Sequence, residues 1–231
     1  MYALFTDTDC DITPEVAKKY GYKLISMPYN PDGKEIFPYV DFKKFDFHAF
    51  YQSLREGTLP TTSALPPTKY IEYFEPEFKA GRDILYVHFS SAMSGTFNSM
   101  RLALEELYSK YPDRKLYTID TKGITIGSYN IVLEIGDLYL EGKSIQEIQK
   151  WAEKEVDKFA IYFYADNLRF FAKSGRVSGL AAFMGGIIGL KPIIFMDSDG
   201  LMKTCDKSRG RIPTLKRLLE HVKELQDDIK S

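Results

Sequence analysis

Apolar positions in this chain fall into short continuous runs separated by stretches of helical period. Tyr2–Thr6 is an apolar run closed by Asp7, which reads as a strand buried on both faces with polar groups at its C-terminal end. Thr13-Pro14-Glu15 supplies an N-cap, a proline at the first helical position and a first-turn acid, predicting a helix over roughly 14–20. Lys23–Tyr29 reads as a second strand, Pro31-Asp32-Gly33 as a turn, and Glu35–Pro38 as the hairpin partner. Helices are predicted over roughly 43–56 and 67–79, ahead of the continuous apolar strand Ile84–Phe89. A helix over about 94–110, strand Leu116–Ile119, and helices near 125–141 and 145–158 follow, the last opened by the capping box Ser144-x-x-Glu147. This alternation predicts an α/β fold with an N-terminal doubly wound parallel sheet.

Beyond about residue 158 the texture changes, and a second, smaller α/β domain is expected over 159–231, after a first domain spanning 1–158. Ala160–Tyr164 reads as its first strand, and Ile193–Met196 and Leu201–Thr204 flank Asp197-Ser198-Asp199-Gly200, a hairpin turn. A helix over roughly 212–229 closes the chain. The most apolar stretch, Gly179–Met196, carries Lys191 as its one charge. Gly185, Gly186, Gly189 and Pro192 interrupt it, so it reads as a buried segment and not as a spanning helix.

Composition narrows the function classes. With 31 basic and 32 acidic residues the formal charge is −1, which offers no general attraction to nucleic acid. The N-terminus lacks a basic region and meets an acid early, so no signal peptide is read there and a cytoplasmic location is expected. Two cysteines, Cys10 and Cys205, lie far apart without metal-ligand spacing and are expected to be reduced.

Three segments carry candidate chemistry. Asp7-Thr8-Asp9 after the first strand matches the opening of a Mg²⁺-dependent haloacid-dehalogenase-like phosphatase, with Asp7 as nucleophile, Asp9 as proton shuttle and Asp197 and Asp199 as a later acidic pair. The plainer reading makes the acids caps and the later pair a turn. Pro60-Thr61-Thr62-Ser63 sets a run of hydroxyls before a helix. Ser90-Ser91-x-x-Ser94-Gly95-Thr96-Phe97 lies between a buried strand and a long helix, where ligands bind in open α/β sheets and helix N–H groups favour an anion, with Ser94 and Thr96 adding hydroxyl donors. No P-loop lysine or Gly-x-Ser-x-Gly elbow is present, and His48, His88 and His221 have no motif pairing them with Ser94.

Taken in order, these residues resemble the DegV-like fatty-acid-binding proteins. The resemblance rests on Asp7, Thr62-Ser63, Ser90-Ser91-x-x-Ser94-Gly95-Thr96-Phe97-x-Ser99 and Ile119-Asp120-Thr121. It continues through Leu168, Lys173-x-Gly175-Arg176-Val177, Lys191-Pro192-Ile193 and Asp199-Gly200. It implies a two-domain carrier, not an enzyme, that buries a long-chain fatty acid and needs no cofactor. Thr62 and Ser94 would bind the carboxylate, with Arg176 in the supporting network. A separate fatty acid kinase would phosphorylate the bound acid, and neither nucleic acid nor stable membrane insertion is implied. Phe183, Met184, Ile187, Ile188 and Leu190 would suit the acyl-chain wall contributed by the second domain. The chain departs from the family pattern at Thr8, where serine is usual, and at Ala64-Leu65-Pro66. It also stops at Ser231, where members continue with a His-Gly-Pro-Gly segment, so either a fragment or a reduced second domain is expected.

Overall fold

In the computed structural model, which describes residues 2–166, 168–178 and 189–226, the chain divides into two compact units, Met1–Val156 and Asp157–Ser231. The first unit holds strands β1 (Ala3–Asp7), β2 (Tyr22–Ile25), β3 (Tyr29–Asn30), β4 (Thr61–Thr62), β5 (Ile84–His88) and β6 (Leu116–Asp120). Its helices are α1 (Pro14–Tyr20), α2 (Phe47–Glu56), α3 (Pro67–Lys79), α4 (Thr96–Lys110), α5 (Thr125–Leu140) and α6 (Ile145–Glu155). Four strands form a wholly parallel sheet in the order β2-β1-β5-β6. Every residue of β1 and β5 is buried, as continuous apolar runs require when helices cover both faces. Helix α3 lays Tyr70, Phe74 and Phe78 against this core, and α5 contributes Ile131, Val132 and Ile135.

Local chemistry fixes the helix ends. Thr13 Oγ1 accepts the Val16 N–H at 3.4 Å to start α1, and Gly21 ends it at φ 77°. Ser144 and Glu147 complete the capping box of α6. Helix α2 begins only at Phe47, because Asp46 Oδ1 accepts the Ala49 N–H at 3.0 Å and so sets the cap there. None of its residues is buried.

The stretch Lys23–Tyr29 is not one strand. β2 leaves the parallel sheet after Ile25, and β3 pairs instead with β4, Tyr29 opposite Thr62 and Asn30 opposite Thr61, in an antiparallel ribbon. Tyr29 also exchanges two backbone hydrogen bonds with Ile36, at 3.1 and 2.8 Å, which closes the turn read at Pro31-Asp32-Gly33.

The second unit contains β7 (Tyr162–Tyr164), α7 (Leu168–Ser174), β8 (Val177–Ser178), β9 (Leu190–Met196), β10 (Met202–Arg209) and α8 (Arg211–Leu225). Its sheet runs β7-β9-β10-β8, antiparallel except for the β10–β8 pair. The turn between β9 and β10 is organised by Asp197, whose Oδ1 accepts the N–H groups of Asp199 at 3.0 Å and Leu201 at 2.8 Å. Phe183, Met184, Ile187 and Ile188, expected in the acyl-chain wall, lie outside the described residues. Among the described residues, no helix is long and apolar enough to cross a membrane.

Candidate functional site

The strand order places a topological switch between β1 and β5, since the chain steps from β1 to β2 on one side and to β5 on the other. The crevice outside the carboxyl ends of such a strand pair is where an open α/β sheet takes its ligand. Here those ends carry Asp7, His88 and the segment Phe89–Thr96.

Asp7 is fully buried. Its Oδ1 accepts the Asp9 N–H at 3.0 Å and the Cys10 thiol at 3.4 Å. Its Oδ2 accepts the Tyr86 hydroxyl at 2.9 Å and the Phe89 N–H at 3.2 Å. Burial pushes its pKa above the usual carboxylate range, against the pull of these four donors. A nucleophile for phosphoryl transfer needs an oxygen open to substrate, and Asp7 has none to offer. Asp197 and Asp199 form the hairpin turn of the second unit, and Asp197 is paired with Lys203. Asp7 and Asp197 are thus each spent on bonds within their own unit. Asp7 instead ties the exit of β1 to that of β5.

The β5 and β6 exits are bound to each other as well. Ser90 N–H donates to the Gly123 carbonyl at 2.7 Å, and the Thr121 hydroxyl donates to the His88 carbonyl at 2.9 Å. Ser91 donates through both its N–H and its hydroxyl to the Asp120 carboxylate. His88 is buried against Phe97, with ring centroids 4.4 Å apart, and burial lowers its pKa, so it is neutral near pH 7.

Ser94 occupies extended backbone just before α4, and its Oγ accepts the Thr96 N–H at 3.2 Å. A hydroxyl that accepts this way keeps its one proton for another acceptor. Gly95 follows without a side chain, leaving open space where a Cβ would stand. Thr62 sits in the β3–β4 ribbon, exposed, with its hydroxyl unpartnered among the described residues. The neighbouring Ser63 differs, because its hydroxyl is spent on Glu35.

The loops bearing Thr62 and Ser94 meet at Thr96, whose hydroxyl the sequence offered as a ligand donor and the fold spends internally. The buried Thr96 Oγ1 accepts the Leu65 N–H at 3.1 Å and bonds the Tyr70 hydroxyl at 2.9 Å. Leu65 closes the Thr62 loop and Thr96 follows Ser94, so one threonine joins both. Arg176, by contrast, belongs to the second unit, where it is exposed and bonds back to Ser174 through its N–H at 3.3 Å and its guanidinium. Among the described residues, no group of three or more His, Cys, Asp or Glu side chains is placed to hold a metal ion.

Comparison with known proteins agrees with this architecture. Residues 1–231 match the family model described as an uncharacterised protein, DegV family. A DegV domain-containing protein of Clostridium perfringens is 34% identical over 223 residues, which is 96% of this chain and 76% of the relative. Another, from Caldanaerobacter subterraneus, is 30% identical over 221 residues, again 96% and 76%. Among solved structures, a stearic acid-binding protein of Eubacterium ventriosum gives a TM-score of 0.88 at 22% identity, covering 100% of this chain and 78% of that one. DegV of Bacillus subtilis, described as a fatty acid binding protein, gives 0.79 at 26% identity, covering 96% and 77%.

Proposed function

Because the chain belongs to the DegV family along its whole length, we propose that it is a carrier that binds a long-chain fatty acid, with the carboxylate held by Thr62 and Ser94. The observation that carries this reading is the pair of uncommitted hydroxyl donors on two joined loops, at the switch point of a parallel sheet. A carboxylate taken out of water must be hydrogen-bonded or paired. The Ser94 proton, the Thr62 hydroxyl and the positive end of the α4 dipole meet that need at an anionic head. Neutral donors also suit a carrier, since they hold the head without a cation that would compete with release.

The relatives support the choice of ligand. DegV of Bacillus subtilis and the Eubacterium ventriosum protein are both described by their fatty acid ligands. Burying about 14 methylenes at roughly 0.8 kcal/mol each contributes on the order of 11 kcal/mol. Ordering and association remove several kcal/mol of this, leaving affinity at about the micromolar level or tighter. In this reading the second unit supplies the acyl-chain wall and Arg176 supports the head group. The chain itself does no chemistry, and a separate fatty acid kinase phosphorylates the acid it presents.

Denaturing extraction of the purified chain followed by mass spectrometry tests the proposal. Near-stoichiometric long-chain fatty acid is expected, and the Thr62→Ala, Ser94→Ala double variant is expected to retain less by about tenfold or more, as when buried polar contacts are removed. A wild-type chain that carries no fatty acid and takes up none when offered it would end the proposal. An unchanged load in the double variant would remove these two residues from it.

A further inference from the structure

The two carboxylate donors lie about thirty residues apart in sequence. What joins their loops is Thr96. Its N–H is given to Ser94 Oγ at 3.2 Å, which leaves the Ser94 proton as a donor for a ligand. Its Oγ1 takes the Leu65 N–H at 3.1 Å, fixing the strand-to-helix loop three residues beyond Thr62. Its remaining partner is the Tyr70 hydroxyl at 2.9 Å, held in turn by the first turns of α3. Thr96 is 1% exposed, and Tyr70 and Leu65 are fully buried, so no water competes for these groups.

The Thr96 and Tyr70 hydroxyls share one hydrogen bond in which either can donate. Buried hydroxyls bonded in this way resist rotation of either member.

We propose that Thr96 is the positioning residue of the carboxylate site: it aims the Ser94 proton with its backbone N–H and registers the Thr62 loop with its side chain. The proposal rests on the fatty-acid reading above. It makes selectivity for an acid head, and not affinity for the acyl chain, the property that Thr96 controls.

The test is the ratio of affinities for palmitate and palmitate methyl ester, measured by fluorescence displacement from the delipidated full chain. The wild-type chain is expected to favour the acid. Thr96→Val keeps the shape and removes the hydroxyl, and should lower that ratio by about tenfold, the scale of a lost buried polar contact, with ester affinity nearly unchanged. Thr96→Ser keeps the oxygen and should restore the ratio to within about threefold of wild type. A merely structural role would weaken acid and ester together. Should Thr96→Val not fold, Tyr70→Phe removes the hydroxyl that bonds Thr96 and should shift the ratio in the same direction by a smaller factor. An unmoved ratio in the folded variants, or a serine variant as impaired as the valine, overturns the assignment of Thr96 while leaving the carrier reading intact. A wild-type chain that binds neither probe overturns both.

Discussion

Two buried carboxylates in the first unit respond to pH in opposite senses. Burial pushes the Asp7 pKa up to about 6 despite four donors. Its folded-state value lies above its unfolded one, so its contribution to stability is full below the unfolded value of 3.8 and is lost as pH rises through about 6. Glu77 is 2% exposed and faces desolvation too, but hydrogen bonds and charges from Arg82 and Lys23 outweigh that cost and lower its pKa. Its contribution is present above the ordinary glutamate value of 4.5 and disappears as pH falls through its lowered folded value. Asp7→Asn separates the two effects. An amide must turn its NH₂ toward donors on one side, so the variant should be less stable near neutral pH by about 1–3 kcal/mol. It has no charge to desolvate, so the stability gap between wild type and variant should narrow as pH rises from about 4 to 6, in urea titrations at several pH values. A gap that widens over that window would mean Asp7 is held as the anion throughout.

Elements with a local signature were legible in the sequence. Helix α3 over 67–79, the capped start of α1 and the capping box of α6 all follow from residues within a turn of the boundary. The break in Lys23–Tyr29 was not legible, because the groups that cause it are distant. Ser26 N–H goes to the Tyr73 hydroxyl at 3.1 Å, Met27 N–H to Thr8 Oγ1 at 2.9 Å, and Ser26 Oγ to the Pro38 carbonyl at 2.7 Å. Side chains there replace the strand ladder, and Pro28 has no N–H to give. The same distance hid the bond of Thr96 to Leu65, 31 positions away, although Thr62, Ser94 and Thr96 all stood out as hydroxyls in loops. Gly136 of α5 is a further case. A Cβ there would lie 2.6 Å from the Tyr20 ring and 2.9 Å from Tyr20 Cβ, at the root of a side chain that cannot swing clear. Gly136→Ala gains about 1 kcal/mol of helix propensity but overpacks the α1–α5 contact at a cost of about 1–3 kcal/mol, so net destabilisation is expected in thermal melts. A raised melting temperature would show that the two helices part more easily than this contact allows.

At the scale of the molecule, the described residues of the two units bury different side chains. The first buries large side chains such as Phe5, Tyr70, Phe74, Phe78 and Tyr86. In the second, the buried apolar residues among those described are Ala165, Val177, Ile193, Ile194 and Met202, while Ile212, Leu219, Val222 and Leu225 of α8 are exposed. The single tryptophan, Trp151, lies in α6 of the first unit. Two compact units that unfold separately should give far-ultraviolet circular dichroism and tryptophan fluorescence curves that do not coincide against denaturant. Coincident curves would show the two units melting as one. A last consequence concerns the ribbon of β3 and β4, where Thr62 stands opposite Tyr29. A slip of one step would ordinarily swap the presented side chain for one of another kind. Here the flanking positions are Thr61 and Ser63, so a slip in either direction still presents an alcohol: the sequence around Thr62 tolerates such an error by repetition, as a misprinted letter is harmless when its neighbours spell the same sound.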